Sequence, residues 1–276
     1  MVGGFPVPDG KWPDAVLVVA RDATCTGTLI APDVVLTAGH CIEPHPVEVW
    51  TDTVDYSTPP GDRIPVAWSR AYPDWETSFD IGVIVLARPA RPAPRIVEAT
   101  CTARQKLVTG AHVRLVGFGL TTSDASDSNT QLREATLAIT DPSCTSDDAC
   151  QPAIAPRGEF IAGGAGSDAC FGDSGGPVYV PTALGPALAG VVSRGLAASL
   201  TPCGGGGIFV RADRVASWVT SVTGKRLART SCGSKGDEDE ADDDAGGCSS
   251  TRSGPGALAV LVVLVVSARA RRRRGV

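Results

Sequence analysis

The sequence predicts an all-β fold, arranged as barrels or a sandwich and closed by one short helix. Three observations lead there. From residue 2 to about residue 224, short β-branched runs alternate with turns of Gly, Pro, Asp and Ser. No amphipathic helical pattern intervenes between those runs. A helical period occurs late, over Asp213 to Val222, where Val215, Trp218, Val219 and Val222 share one face. A stretch of this length can bury a substantial core without metals or staples.

In chain order, the first half offers strands at Ala15–Ala20, Thr26–Ile30, Val34–Ala38, Val47–Thr51, Ile64–Ala67 and Ile81–Leu86. Pro89, Pro92 and Pro94 follow. Proline cannot donate to a ladder, so this stretch marks the crossing between two halves. The second half offers His112–Val116, Leu132–Ile139, Gly176–Val180, Ala187–Val192 and Gly207–Val210. Between them lie a Ser/Asp-rich loop, Thr121 to Thr130, and a four-glycine loop, Gly204 to Gly207.

Beyond Gly224 the composition changes. Residues 233–253 are acidic and Gly/Ser-rich, with no apolar set to bury, which predicts a solvated spacer. The acidic run lacks the glycine and final glutamate of a calcium-binding EF-hand loop. Residues 254–276 hold a short apolar run, Ala257 to Val266, and then a basic run, Arg269 to Arg274. An apolar run flanked by arginines predicts a short transmembrane segment with the large domain outside. The formal net charge of −5 gives no reason to expect a nucleic-acid partner. The nine cysteines form no CxxC pair, which argues against zinc and for disulfides in an oxidising compartment. Nine is odd, so one cysteine has another role. Met1-Val2-Gly3-Gly4 has neither the basic nor the apolar region of an export signal, so the expected signal is missing from the sequence as given.

Three strings carry chemistry. In Gly172-Asp173-Ser174-Gly175-Gly176-Pro177, glycines let the chain turn tightly and present a serine. A nucleophile there needs the N–H groups of Gly172 and Ser174 to converge on a developing oxyanion. In Leu36-Thr37-Ala38-Gly39-His40-Cys41, a histidine ends an apolar strand beside a cysteine, rigid enough to serve as a base. In Asp80-Ile81-Gly82-Val83-Ile84-Val85-Leu86, an aspartate precedes a buried strand. Taken singly, each residue is ordinary: a packing histidine (as for His45 and His112), a turn-capping aspartate, a turn serine.

Together, in the order His, Asp, Ser, the strings resemble the chymotrypsin/trypsin family of serine peptidases over about residues 2 to 222. Subtilisin-like enzymes and α/β-hydrolases use other orders. The resemblance implies two six-stranded antiparallel β-barrels with a short C-terminal helix and the active site between the barrels. It implies a catalytic triad of His40, Asp80 and Ser174, an oxyanion hole at Gly172 and Ser174, and hydrolysis of peptide bonds through an acyl-enzyme with no metal or organic cofactor. Asp168 stands six residues before Ser174, at the family's pocket base, which implies cleavage after Arg or Lys. Ser193, Gly195 and Gly207 match the substrate-binding strand and pocket walls. Arg194 replaces the usual tryptophan and is expected to bring a positive charge toward the substrate side.

The family pattern also links Cys25 to Cys41 and Cys170 to Cys203. Cys144 and Cys150 could close a local loop, which leaves Cys101 and Cys232 as a remaining pair, with the connectivity of these last four open. Val2-Gly3-Gly4 resembles a mature, zymogen-derived N-terminus whose ammonium pairs with Asp173. Met1 occupies the place of the usual Ile, so either the start is misassigned or Met1 supplies that ammonium; the first is favoured. Cys248, the linker, the apolar run and the arginines resemble the C-terminal sorting signal of myxobacterial surface proteins, which implies sorting machinery or the cell envelope as partners and a cell-surface location. The rival expectation is a catalytically silent homologue serving as a surface binding module. A peptidase domain over 1–232, a linker over 233–253 and a sorting or membrane segment over 254–276 complete the expected organisation.

Overall fold

The computed structural model describes residues 1–58 and 61–232. The acidic spacer, the short apolar run and Cys248 lie outside the described residues. Two closed β-barrels follow one another along the chain. A two-residue strand, β1 (Phe5–Pro6), leads into the first barrel, built from β2 (Ala15–Val19), β3 (Thr24–Ala31), β4 (Val34–Thr37), β5 (Glu48–Thr51), β6 (Asp62–Ala71) and β7 (Gly82–Leu86). Its antiparallel order is β2-β3-β4-β7-β6-β5, and β5 returns to β2 through Trp50 opposite Leu17. A short helix, α1 (Thr100–Lys106), precedes the second barrel. That barrel comprises β8 (His112–Gly117), β9 (Arg133–Asp141), β10 (Glu159–Ala162), β11 (Pro177–Val180), β12 (Ala187–Gly195) and β13 (Gly207–Arg211). Its order is β9-β10-β13-β12-β11-β8, closed by β8 on β9, with β1 added outside β9. The architecture is therefore the trypsin-like double barrel and not a sandwich.

The strand patterns follow from burial on both faces. In β2, Val16 and Val18 join the first barrel's interior, while Ala15 and Leu17 face the cluster between the barrels. An unbroken apolar run is what two buried faces require. β9 buries Ala135, Leu137 and Ile139 and leaves the intervening residues out, the alternation of a half-exposed strand. The second barrel is filled by Leu115, Leu137, Val178, Phe160 and Phe209, the last two stacked with centroids 5.3 Å apart. Burying each such side chain contributes about 1.5–3 kcal/mol.

The helix α2 (Ala212–Thr223) closes the described domain by burying Val215, Ala216 and Val219 against the inter-barrel cluster. It stops at Gly224, whose φ of 67° is the left-handed cap that glycine adopts freely. The proline-marked crossing is stitched to both halves: Arg95 N–H donates to Leu29 O and Glu98 N–H to Leu188 O. Arg95 also donates to Asp14, which accepts from Tyr179 Oη at 2.5 Å. These groups come from the first half, the crossing and the second half. Burial pushes the Tyr179 phenol well up, and the Asp14 charge beside it acts in the same sense.

The membrane expectation needs correction. Among the described residues no helix is long and apolar enough to cross a membrane. α2, at 12 residues, falls short of the roughly 20 apolar residues that a bilayer requires. The run on which the transmembrane reading rested lies outside the described residues.

Candidate active site

His40 sits on a single 3-10 turn, Gly39–Cys41, directly after β4. The Cys25–Cys41 disulfide ties this turn to β3. Gly39 permits a close approach, since a Cβ there would lie 2.8 Å from Trp75 Cβ and 3.1 Å from Asp80 Oδ1. Asp80, two residues before β7, is buried. Its Oδ1 accepts from His40 N–H at 2.9 Å, and its Oδ2 contacts His40 Nδ1 at 2.8 Å and accepts from Ser193 Oγ at 2.7 Å. Burial pushes the Asp80 carboxyl up, but the hydrogen bonds and charge of His40 and the Ser193 bond outweigh it and hold it below the ordinary value. A carboxylate on Nδ1 favours the tautomer with the proton there, leaving Nε2 its lone pair.

Ser174 lies on a loop bolted between the barrels. Thr26 of β3 donates its N–H to Ser174 O at 2.9 Å and its hydroxyl to Gly172 O at 2.8 Å. On the other side Gly175 N–H donates to Val192 O of β12 at 2.8 Å, and Val192 N–H to Gly176 O at 3.0 Å. Gly175 has a φ of +77°, and a Cβ there would fall 2.0 Å from Thr37 Oγ1. Only glycine fits that junction. His40, Asp80, Ser174 and Asp168 line one cavity of about 620 Å³, with Trp75, Phe171, Gly195 and Gly207 also on its walls.

Asp173 faces away from that cavity, fully buried. Its Oδ2 pairs with the Met1 ammonium at 2.9 Å and accepts from Cys170 N–H at 2.9 Å. Its Oδ1 accepts from Gly119 N–H, also at 2.9 Å. The ammonium further donates to Leu120 O, and the Met1 side chain is buried in the second barrel's core.

Asp168 is also buried. Its carboxylate accepts from the N–H groups of Gly204 and Gly206 at 3.0 Å each and of Ala169 at 2.7 Å. Its backbone bridges to Val2. Burial pushes its carboxyl up, partly opposed by those N–H groups. A Cβ on Gly207 would stand 3.1 Å from Asp168 Oδ1, so glycine keeps the carboxylate reachable there. The Cys170–Cys203 disulfide joins the segment after Asp168 to the loop before β13. Cys144–Cys150 and Cys101–Cys232 are the other described bridges. Cys25, Cys41 and His40 lie close together, but both sulfurs are joined to each other and offer no thiolate to a metal.

The side chains of Ser193 and Arg194 are both held by polar neighbours. Ser193 lines the shared cavity, and its hydroxyl is turned onto Asp80. Arg194 also lines that cavity, and its guanidinium contacts Glu159 Oε1 at 2.8 Å and Oε2 at 2.9 Å, and Ala149 O at 2.6 Å. Glu159 draws it inward, and no sequence signal marked Glu159. Trp75, whose ring centroid is 6.3 Å from that of His40, and the exposed Phe171 were also missed. An aromatic beside Gly172 was the available signal for Phe171.

Comparison with known proteins adds an independent line. The family model described as Trypsin matches residues 1–219. Glucanase inhibitor protein 3 of Phytophthora infestans is 27% identical over 81% of this chain and 88% of its own length. Transmembrane protease serine 11E of Mus musculus is 30% identical over 81% of this chain, which spans only 55% of that relative. A protein named Trypsin from Saccharopolyspora erythraea is 31% identical over 67% of this chain and 83% of its own length. By the extent of the family match, taken with the double barrel, the chain belongs to the trypsin family.

Proposed function

We propose that this protein is a serine endopeptidase that cleaves after Arg or Lys. The observation that carries the reading is the Asp80–His40 pair facing a cavity shared with Ser174 and with the buried carboxylate of Asp168. In the proposed reaction, Ser174 Oγ attacks the scissile carbonyl carbon as His40 Nε2 takes its proton. The carbonyl oxygen becomes an oxyanion, stabilised by the N–H groups of Gly172 and Ser174. Collapse breaks the C–N bond, and His40 returns the proton to the leaving amine. A water, deprotonated by His40, then hydrolyses the acyl-enzyme and regenerates Ser174. Asp80 holds the imidazole in the required tautomer throughout. Asp168 rewards a cationic P1 side chain, because a buried carboxylate without one is costly.

The Met1–Asp173 pair, in this reading, orders the loop that carries Gly172 and Ser174. The disulfides agree with function in an oxidising, extracellular setting, as is typical of the family. A peptidase unit over 1–232, an acidic linker over 233–253 and a terminal segment with Cys248 as the sorting residue form the accompanying proposal for the whole chain. A second reading is favoured by one observation: two relatives are named glucanase inhibitor proteins. A non-catalytic binding role is thus the competing function.

The discriminating experiment uses the full chain, produced in an oxidising compartment, and peptides that differ only at P1 (Arg, Lys, Phe, Ala), with Ser174→Ala as control. Serine-dependent cleavage of the Arg and Lys peptides is the expected result. Cleavage of Phe or Ala peptides alone would refute the pocket assignment and keep the triad. No cleavage by a folded sample would favour the binding role.

A further inference from the structure

We propose that Arg194 is a positioning residue for the Asp80–His40 pair, acting through the hydroxyl of Ser193; this rests on the peptidase reading above. Ser193 Oγ lies 2.7 Å from Asp80 Oδ2 and 2.8 Å from Arg194 Nη1. A hydroxyl has one proton to give and lone pairs to receive one. A guanidinium only donates, and an ionised carboxylate only accepts. With both neighbours in place the rotor has one arrangement: Ser193 receives from Arg194 and donates to Asp80. Without Arg194, the hydroxyl is free to turn away and leave that carboxylate oxygen with one bond fewer.

Arg194 is itself held from several sides. Its Nε and Nη2 donate to Ala149 O at 2.8 and 2.6 Å, and Nη1 and Nη2 meet the two oxygens of Glu159. Glu159 is buried on β10 and also accepts from Gln151 N–H at 2.9 Å. Ala149 belongs to the loop closed by Cys144–Cys150, and Asp147 of that loop accepts from the N–H groups of Ala197 and Ala198 just beyond β12. A continuous chain of contacts thus runs from Glu159 through Arg194 and Ser193 to Asp80 and His40. The charged groups around it are Glu159, Asp147, Asp80, His40 and, on the shared cavity wall, Asp168. The guanidinium bonds the same hydroxyl that donates to Asp80, and its charge opposes a second positive charge on the imidazole. Removing it favours imidazole protonation, and a Glu159 left without its partner acts in the same direction.

The test measures kcat, KM and the pH profile of kcat/KM for full-length wild type, Arg194→Met, Arg194→Lys and Glu159→Gln, on a short P1-Arg substrate. Arg194→Met is expected to lower kcat about tenfold with KM within about twofold, and to move the acid limb up by about half a pH unit. Arg194→Lys, which keeps a cationic donor, is expected to recover most of both. Glu159→Gln leaves the cation unopposed and is expected to move the acid limb the other way, so the proposal stays testable if Arg194→Met does not fold. An unchanged acid limb and kcat in folded Arg194→Met, or an unchanged acid limb in Glu159→Gln where that variant must stand alone, would overturn the role of Arg194 alone. Absence of Ser174-dependent hydrolysis by wild type would overturn the peptidase reading, and this role with it.

Discussion

Replacing Asp168 by Asn keeps the shape of the pocket base and removes its charge. A P1 guanidinium or ammonium reaching this carboxylate to about 4 Å, at the effective dielectric of about 20 that describes such sites, gains about 4 kcal/mol. Loss of that attraction is about a thousandfold in kcat/KM for Arg and Lys peptides. Ala and Phe peptides make no such contact, so their kcat/KM should change by less than about tenfold. The same panel carries a pH arm. Burial raises the Asp168 carboxyl above its ordinary value of 3.8, so in the free protein the charge is present above the raised pKa and is lost as pH falls through it. The Arg-to-Ala preference should therefore decline on acidification before an ordinary carboxylate would protonate, and Asp168→Asn should show no such decline. Equal loss on all four peptides would mean that Asp168 serves the loop through its bonds to Ala169, Gly204 and Gly206. Unchanged cleavage of the Arg peptide would refute its assignment as the pocket base.

Other consequences concern the frame that holds the site. Gly175→Ala places a Cβ 2.0 Å from Thr37 Oγ1 and 2.5 Å from Thr26 O at a φ of +77°, and should cost about 2–4 kcal/mol. Thermal unfolding should show it as a fall in Tm of about 5–10 °C; an unchanged Tm would mean that the barrels do not clamp the loop there. Tyr179→Phe removes the hydroxyl that donates to buried Asp14 and should cost about 1–2 kcal/mol in urea unfolding. A neutral result would mean that Arg95 alone satisfies Asp14.

Much of the fold was legible because its strands are short, β-branched and set apart by turn residues. β2, β4 and β7 are nearly all apolar since both their faces are buried, and β9 alternates since one face is not. β1, β10 and α1 carry no such pattern, and β6 carries it over only part of its length. β10 is only Glu159–Ala162, too short for a period, and begins with a charge. α1 has no apolar stripe over Thr100–Lys106 and buries Ala103 alone. The sequence marks β6 at Ile64–Ala67, but the strand runs from Asp62 to Ala71; Ile64 is its one buried residue, so no apolar face marks the rest of its course. At the candidate site, the strings around His40, Asp80 and Ser174 were legible because tight backbone approaches demand glycine at fixed places, as at Gly39 and Gly175. The orientation of Arg194 was not, because it depends on Glu159, 35 residues away in sequence. Pairings of that kind leave no local pattern.

The central claim is that Ser174 is a nucleophile activated by His40. Treating the folded full chain with a fluorophosphonate and mapping the adduct by mass spectrometry tests it without any assumption about substrate. The account predicts one adduct per chain, on Ser174, lost in Ser174→Ala and slowed at least about a hundredfold in His40→Ala. A folded wild-type protein that takes no label, or takes it elsewhere, would contradict the claim.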